Sequence, residues 1–94
     1  MDLSTRLESL LTLAEQIGID VRAEPMGGGG GGLCRLRGRE VLFVDTAADL
    51  ETRYEKTLAA LAPLRGLDDR FILPEIRRDL EQCRNALDIR GHGP

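Results

Sequence analysis

The hydrophobic pattern switches between helical and strand periods along the chain, and each switch marks an element. From Leu3 to Ile17, the apolar residues Leu3, Leu7, Leu10, Leu11, Ala14 and Ile17 recur at steps of three and four. That spacing predicts a helix with one buried face. Asp2 or Ser4 is placed to cap its start, and Gly18 to close its end in a left-handed conformation. From Ile19 to Glu24 the period drops to two, with Ile19, Val21 and Ala23 on one side and Asp20, Arg22 and Glu24 on the other. A strand with one wet face is expected there, ended by Pro25, which has no N–H to continue a ladder.

Met26 to Gly32 reads as a glycine loop. Leu33 to Arg37 reads as a second strand, with Cys34 and Leu36 inward and Arg35 and Arg37 outward. Gly38-Arg39 is expected to form a two-residue type II′ hairpin turn. The unbroken apolar run Val41 to Val44 predicts a strand buried on both faces, and therefore the central one. Asp45 and Thr46 offer caps for the next helix, with Thr46 and Asp49 spaced like a loose capping box. That helix presents Leu50, Tyr54, Leu58 and Leu61 and stops before Pro63. A connector with one helical turn after Asp68 leads to a last helix that starts at Pro74 and carries the stripe Ile76, Leu80, Cys83 and Leu87. The expectation is a single α+β domain over 1–94, order α-β-β-β-α-α. A small three-stranded sheet packs against helices, and residues 90–94 form a flexible tail.

Composition narrows the functions. The chain of 94 residues has room for one modest core. Its net charge is −3, which disfavours nucleic acid as a partner, because phosphate backbones need a concentrated positive surface. Phe43, Tyr54 and Phe71 are the only aromatic residues, too few for a base-stacking platform. No apolar run is long enough to span a bilayer, and no basic start leads into an apolar stretch like that of a signal peptide. A cytoplasmic protein without membrane contact is expected. Cys34 and Cys83 form no C-x-x-C pair and read as two reduced core thiols, with a disulfide or a reactive thiol as the alternative.

The candidate chemistry is sparse. Gly27, Gly28, Gly29, Gly30, Gly31 and Gly32 could hold an anion on open backbone amides, with Arg35 and Arg37 beside them. Phosphate loops, however, run from a strand into a helix, whereas here a strand follows. Arg35, Arg37 and Arg39 otherwise read as the solvated stripe of an edge strand. Glu75, Arg77, Arg78, Asp79, Glu81 and Arg84 read as a charged outer face of the last helix. The carboxylates Asp45, Asp49 and Glu51, and the pair Asp68 and Asp69, are candidates for metal or acid–base roles, but acidic residues at helix starts follow from the macrodipole alone. His92, the only histidine, lies in the tail, without the fixed partner that catalysis requires.

Taken together, LAEQIGIDVRAEPM, the glycine loop, LCRLRGREVLFVD and the helix with TLAALAPL resemble the ImmA/IrrE-type zinc metallopeptidase domain over Leu11 to Leu64. In that family the helix carries T-L-A-H-E-L-G-H. Carried over, the first zinc histidine falls on Ala60, the general-base glutamate on Leu61 and the second histidine on Leu64, with Pro63 in place of the motif glycine. Alanine and leucine can neither hold zinc nor activate water. The resemblance therefore implies a metal-free remnant of that fold.

The function expected from the sequence is a non-enzymatic protein-interaction or regulatory module, with no cofactor and no metal. Its partner is another protein or a second copy. The apolar residues Leu10, Leu13, Leu64, Leu67, Phe71, Ile72 and Leu73 exceed what one small core should hold, and Leu64, Leu67, Phe71, Ile72 and Leu73 form the expected interface. The alternative is a small-ligand or anion-binding domain using the glycine loop and the hairpin arginines.

Overall fold

A computed structural model describes residues 1–67 and 70–91. The order is α1 (Leu3–Gln16), β1 (Asp20–Glu24), β2 (Gly31–Leu36), β3 (Arg39–Asp45), α2 (Leu50–Leu61), a single 3-10 turn (Arg65–Leu67) and α3 (Pro74–Gly91). This is the α+β arrangement expected, with β3 in the centre of a three-stranded sheet of order β1-β3-β2. β1 runs parallel to β3, Val21 beside Leu42, and β2 runs antiparallel to it, Leu33 beside Leu42.

Local chemistry fixes the helix ends. The Asp2 carboxylate accepts from the Thr5 N–H at 2.8 Å, which starts α1. At its end Gly18 adopts φ +88°. The Ile19 N–H donates to the Ala14 carbonyl and the Gly18 N–H to that of Glu15, a complete Schellman closure. α2 is capped by Asp49, whose side chain accepts from the Thr52 N–H at 2.7 Å. Asp45 and Thr46 therefore do not cap α2, and the capping box is absent. The C-terminal carbonyl of Ala62 receives the Arg84 Nε at 2.8 Å.

The core lies between the helices and one sheet face. Leu7, Leu10, Leu13 and Ala14 of α1 meet Leu42 of β3, Tyr54 and Leu61 of α2, and Ile76 and Leu80 of α3. Each such side chain removed from water contributes roughly 1.5–3 kcal/mol, so this shared interior holds the layers together. A polar clamp joins the three helices at its edge. The Tyr54 hydroxyl and Arg6 Nη1 both donate to Asp79 Oδ2, the latter at 3.0 Å. Burial, reinforced by the Asp79 carboxylate, pushes the Tyr54 hydroxyl far above its ordinary range. Asp79 and Arg84 thus bind neighbouring elements rather than forming a solvated face, and Leu87 lies exposed rather than in the core stripe.

Several strand details differ from the pattern reading. β2 begins at Gly31, so the last two glycines belong to the ladder. Its inward residue is Leu33, and Cys34 and Leu36 are exposed on the outer face. Leu33, Cys34 and Leu36 are all apolar, so their alternation leaves the phase open; pairing of Leu33 with the core residue Leu42 sets it. Cys34 is accordingly an exposed thiol, while Cys83 is half-buried against the core. The 3-10 turn falls before Asp68, and α3 extends through Gly91. Asp68, Asp69, His92 and the end of the expected tail lie outside the described residues.

The hairpin turn is Arg37-Gly38, one residue earlier than expected. Leu36 pairs with Arg39, and both turn residues have positive φ, +52° for Arg37 and +80° for Gly38. That is the type I′ signature, which suits glycine or asparagine first. Arginine there carries strain of about 1 kcal/mol. Replacing Arg37 by glycine is expected to raise the urea midpoint by an amount equivalent to about 1 kcal/mol, measured by equilibrium unfolding. An unchanged or lower midpoint would refute the strain.

Candidate functional site

The glycine segment is built around one carboxylate. β1 ends beside Asp45 and β2 begins beside Val44, both at the same end of the sheet, with β3 between them. Residues 25–30 must therefore arch over the end of β3, a span of about two strand spacings, or about 10 Å. Asp45, the last residue of β3, is fully buried beneath that arch. Its Oδ1 accepts from the N–H of Met26 at 2.8 Å and of Ala47 at 2.9 Å. Its Oδ2 accepts from Gly28 at 2.7 Å and Gly30 at 3.1 Å. Thr46 N–H closes the base on the Glu24 carbonyl at 3.1 Å.

The inward amides are those of Met26, Gly28 and Gly30, and Gly27, Gly28, Gly30 and Gly31 take positive φ along the way, a backbone path that favours glycine. Gly30 and Gly31 show why side chains are excluded. Both have positive φ, near +97°. A Cβ on Gly31 would strike the Phe43 carbonyl, and one on Gly30 would strike the Lys56 side chain of α2. Gly29, by contrast, faces open space.

The arch is thus an anion nest that the chain fills with its own carboxylate. Burial pushes the Asp45 carboxyl up, but the backbone donors Met26, Gly30, Ala47 and Gly28 outweigh it and hold the group below the usual carboxylate range. Arg35 and Arg37 are not gathered at the arch. Arg35 sits opposite Glu40, and Arg37 lies in the hairpin turn about 20 Å along β2 from Gly31. Arg39 faces outward beside Leu36, so the three arginines do not form one stripe. The Asp45 hub was missed in the sequence, although an acidic residue ending a buried strand was its available signal.

The residues expected at an interface divide in two. Leu67 and Ile72 are buried with Leu10 and Leu13, and Leu64 is half-buried against the same core. Phe71 is 87% exposed and Leu73 38%. Both line a groove of about 330 Å³ between α1 and the segment entering α3, floored by Leu13, Ile72 and Ile76. Thr5, Glu8, Ser9, Thr12 and Gln16 form its polar wall.

Among the described residues, no three His, Cys, Asp or Glu side chains gather as a metal site, and no helix is long and apolar enough to cross a membrane. No family model, curated protein or solved structure matches the chain.

Two predictions follow from the arch. Gly31→Ala should lower stability by about 2–4 kcal/mol, while Gly29→Ala should stay within about 0.5 kcal/mol of the parent. Equal losses in chemical denaturation would contradict the packing described. The second concerns acid. Because the Asp45 pKa is lower folded than unfolded, its contribution is fully present above about pH 4 and is lost as the pH falls through the lower folded value. Asp2 and Asp49, held down by their own cap bonds, act in the same direction. Unfolding midpoints measured from pH 7 to pH 2 should be flat at first and fall below about pH 4. Asp45→Asn should be less stable at pH 7 and show a shallower acid fall; a parallel curve would rule out Asp45 as the source.

Proposed function

We propose that this chain is a non-enzymatic protein-interaction module of the cytoplasm that docks a second copy of itself or another protein through the Phe71 groove. The observation that carries the reading is the exposure of Phe71. The other two aromatic residues are buried or half-buried in the fold, whereas Phe71 presents its ring to solvent beside Leu73. An exposed aromatic at the rim of an apolar-floored groove is the kind of anchor that dominates protein interfaces. The polar wall supplied by α1 matches the wetter rim that surrounds such anchors.

The proposal includes descent from a metallopeptidase-like fold with its metal chemistry lost. Its support is the packing of the positions concerned. Leu61 is fully buried in the core, Ala60 packs half-buried against it, and Leu64 lies beyond the end of α2. A helix with these residues serves the interior. The glycine-loop reading has less support, since Met26, Gly28 and Gly30 already direct their amides to Asp45.

Phe71→Ser and Ile72→Ser separate docking from folding. Phe71→Ser should leave the unfolding midpoint unchanged and abolish concentration-dependent association in sedimentation velocity, or the retention of a partner captured by the parent protein. Ile72→Ser should cost about 2–5 kcal/mol of stability. Association by Phe71→Ser at the parent level would overturn the proposal.

A further inference from the structure

The sheet face away from the helices carries a second kind of surface. At its hairpin end a cavity of about 380 Å³ is lined by Asp20, Arg22, Leu36, Arg37, Arg39 and Val41. Strand pairing brings these together: Asp20 lies beside Val41, and Leu36 opposite Arg39. Val41 is almost wholly covered and Leu36 is 45% exposed, so the floor is apolar. Arg22 is held by Asp20, with Nη2 at 3.2 Å from Oδ2. Among the described residues, no carboxylate lies within ion-pairing distance of Arg37 or Arg39.

Three guanidiniums against one carboxylate leave two positive charges around an apolar floor, on a chain whose net charge is −3. One of the three is Arg37, placed at φ +52° where glycine or asparagine would relieve the backbone. Backbone strain tends to be kept at functional positions, and here it falls on a residue that lines the cavity. Guanidinium forks match phosphate oxygens in pairs, and a dianionic phosphate monoester balances the two uncompensated charges. The volume lies within the range of small-molecule sites.

We propose that this cavity binds a phosphate monoester bearing a small apolar group, with Arg39 and Arg37 on the phosphate and Val41 and Leu36 under the organic part. The site is on the opposite side of the sheet from the helices and does not depend on docking at Phe71.

Titration of isotope-labelled protein with phenyl phosphate, followed by nuclear magnetic resonance, tests it. Saturable shifts are expected at Leu36 to Val41 and at the Arg37 and Arg39 side-chain N–H signals, with inorganic phosphate binding at least about tenfold more weakly for want of an apolar body. Arg39→Gln should weaken phenyl phosphate at least about tenfold, through loss of a charge-assisted pair, with the unfolding midpoint unchanged. Arg37→Gly, which relieves the turn, should weaken it too and so separates binding from folding. Shifts without saturation would overturn the proposal. So would affinity unaltered in both variants, equal affinity for inorganic phosphate, or shifts centred on Gly27 to Gly32.

Discussion

Four backbone N–H groups converge on the buried Asp45 carboxylate, and the order of the sheet depends on that convergence. β1 and β2 follow one another in the chain but do not pair. β3 inserts between them, parallel to the first and antiparallel to the second. Such an insertion needs a connection that passes over the end of the central strand, where backbone N–H groups would otherwise lack partners. A carboxylate at that strand's last position accepts them. A buried anion is tolerable only when so fully bonded, and here the bonds come from the segment that the anion organises.

This arrangement explains the glycine run without a bound ligand. Gly27, Gly28, Gly30 and Gly31 all take positive φ, and contact with the Phe43 carbonyl and with Lys56 leaves no room for side chains at Gly31 and Gly30. The segment is therefore built into the end of the sheet. Its neighbour α2 presses on it from the helix side, so the arch, the sheet end and that helix form one unit.

The helices cover one face of the sheet, and the two surfaces left open differ in chemistry. Around α1 and α3 the exposure is aromatic and aliphatic, centred on Phe71. On the outer sheet face it is guanidinium over an apolar floor. Strand alternation separates them: Leu33 and Leu42 enter the core while Cys34, Leu36 and Val41 turn away. Arg35 and Arg39 are likewise divided between the two faces, so proximity in sequence did not become proximity in space.

The element order, the central place of β3 and the cap residues Asp2 and Gly18 were all legible in the chain, because periodicity, a fully apolar run and terminal hydrogen-bonding needs are local. The extent of β2 was not legible, since glycines carry no pattern and its first two residues are glycines. Nor was the assignment of Leu10, Leu13, Leu67 and Ile72 to the core, since counting leucines cannot say how much volume three helices and a sheet enclose. The sequence alone determined which segments are helix and which are strand. Only the tertiary structure decided that β1 pairs in parallel with β3, that Asp45 becomes a hub rather than a cap, and that Phe71 stays outside while Ile72 goes in. Those outcomes depend on contacts between residues distant in the chain, and no local pattern encodes which of several partners a strand end or an apolar side chain will meet.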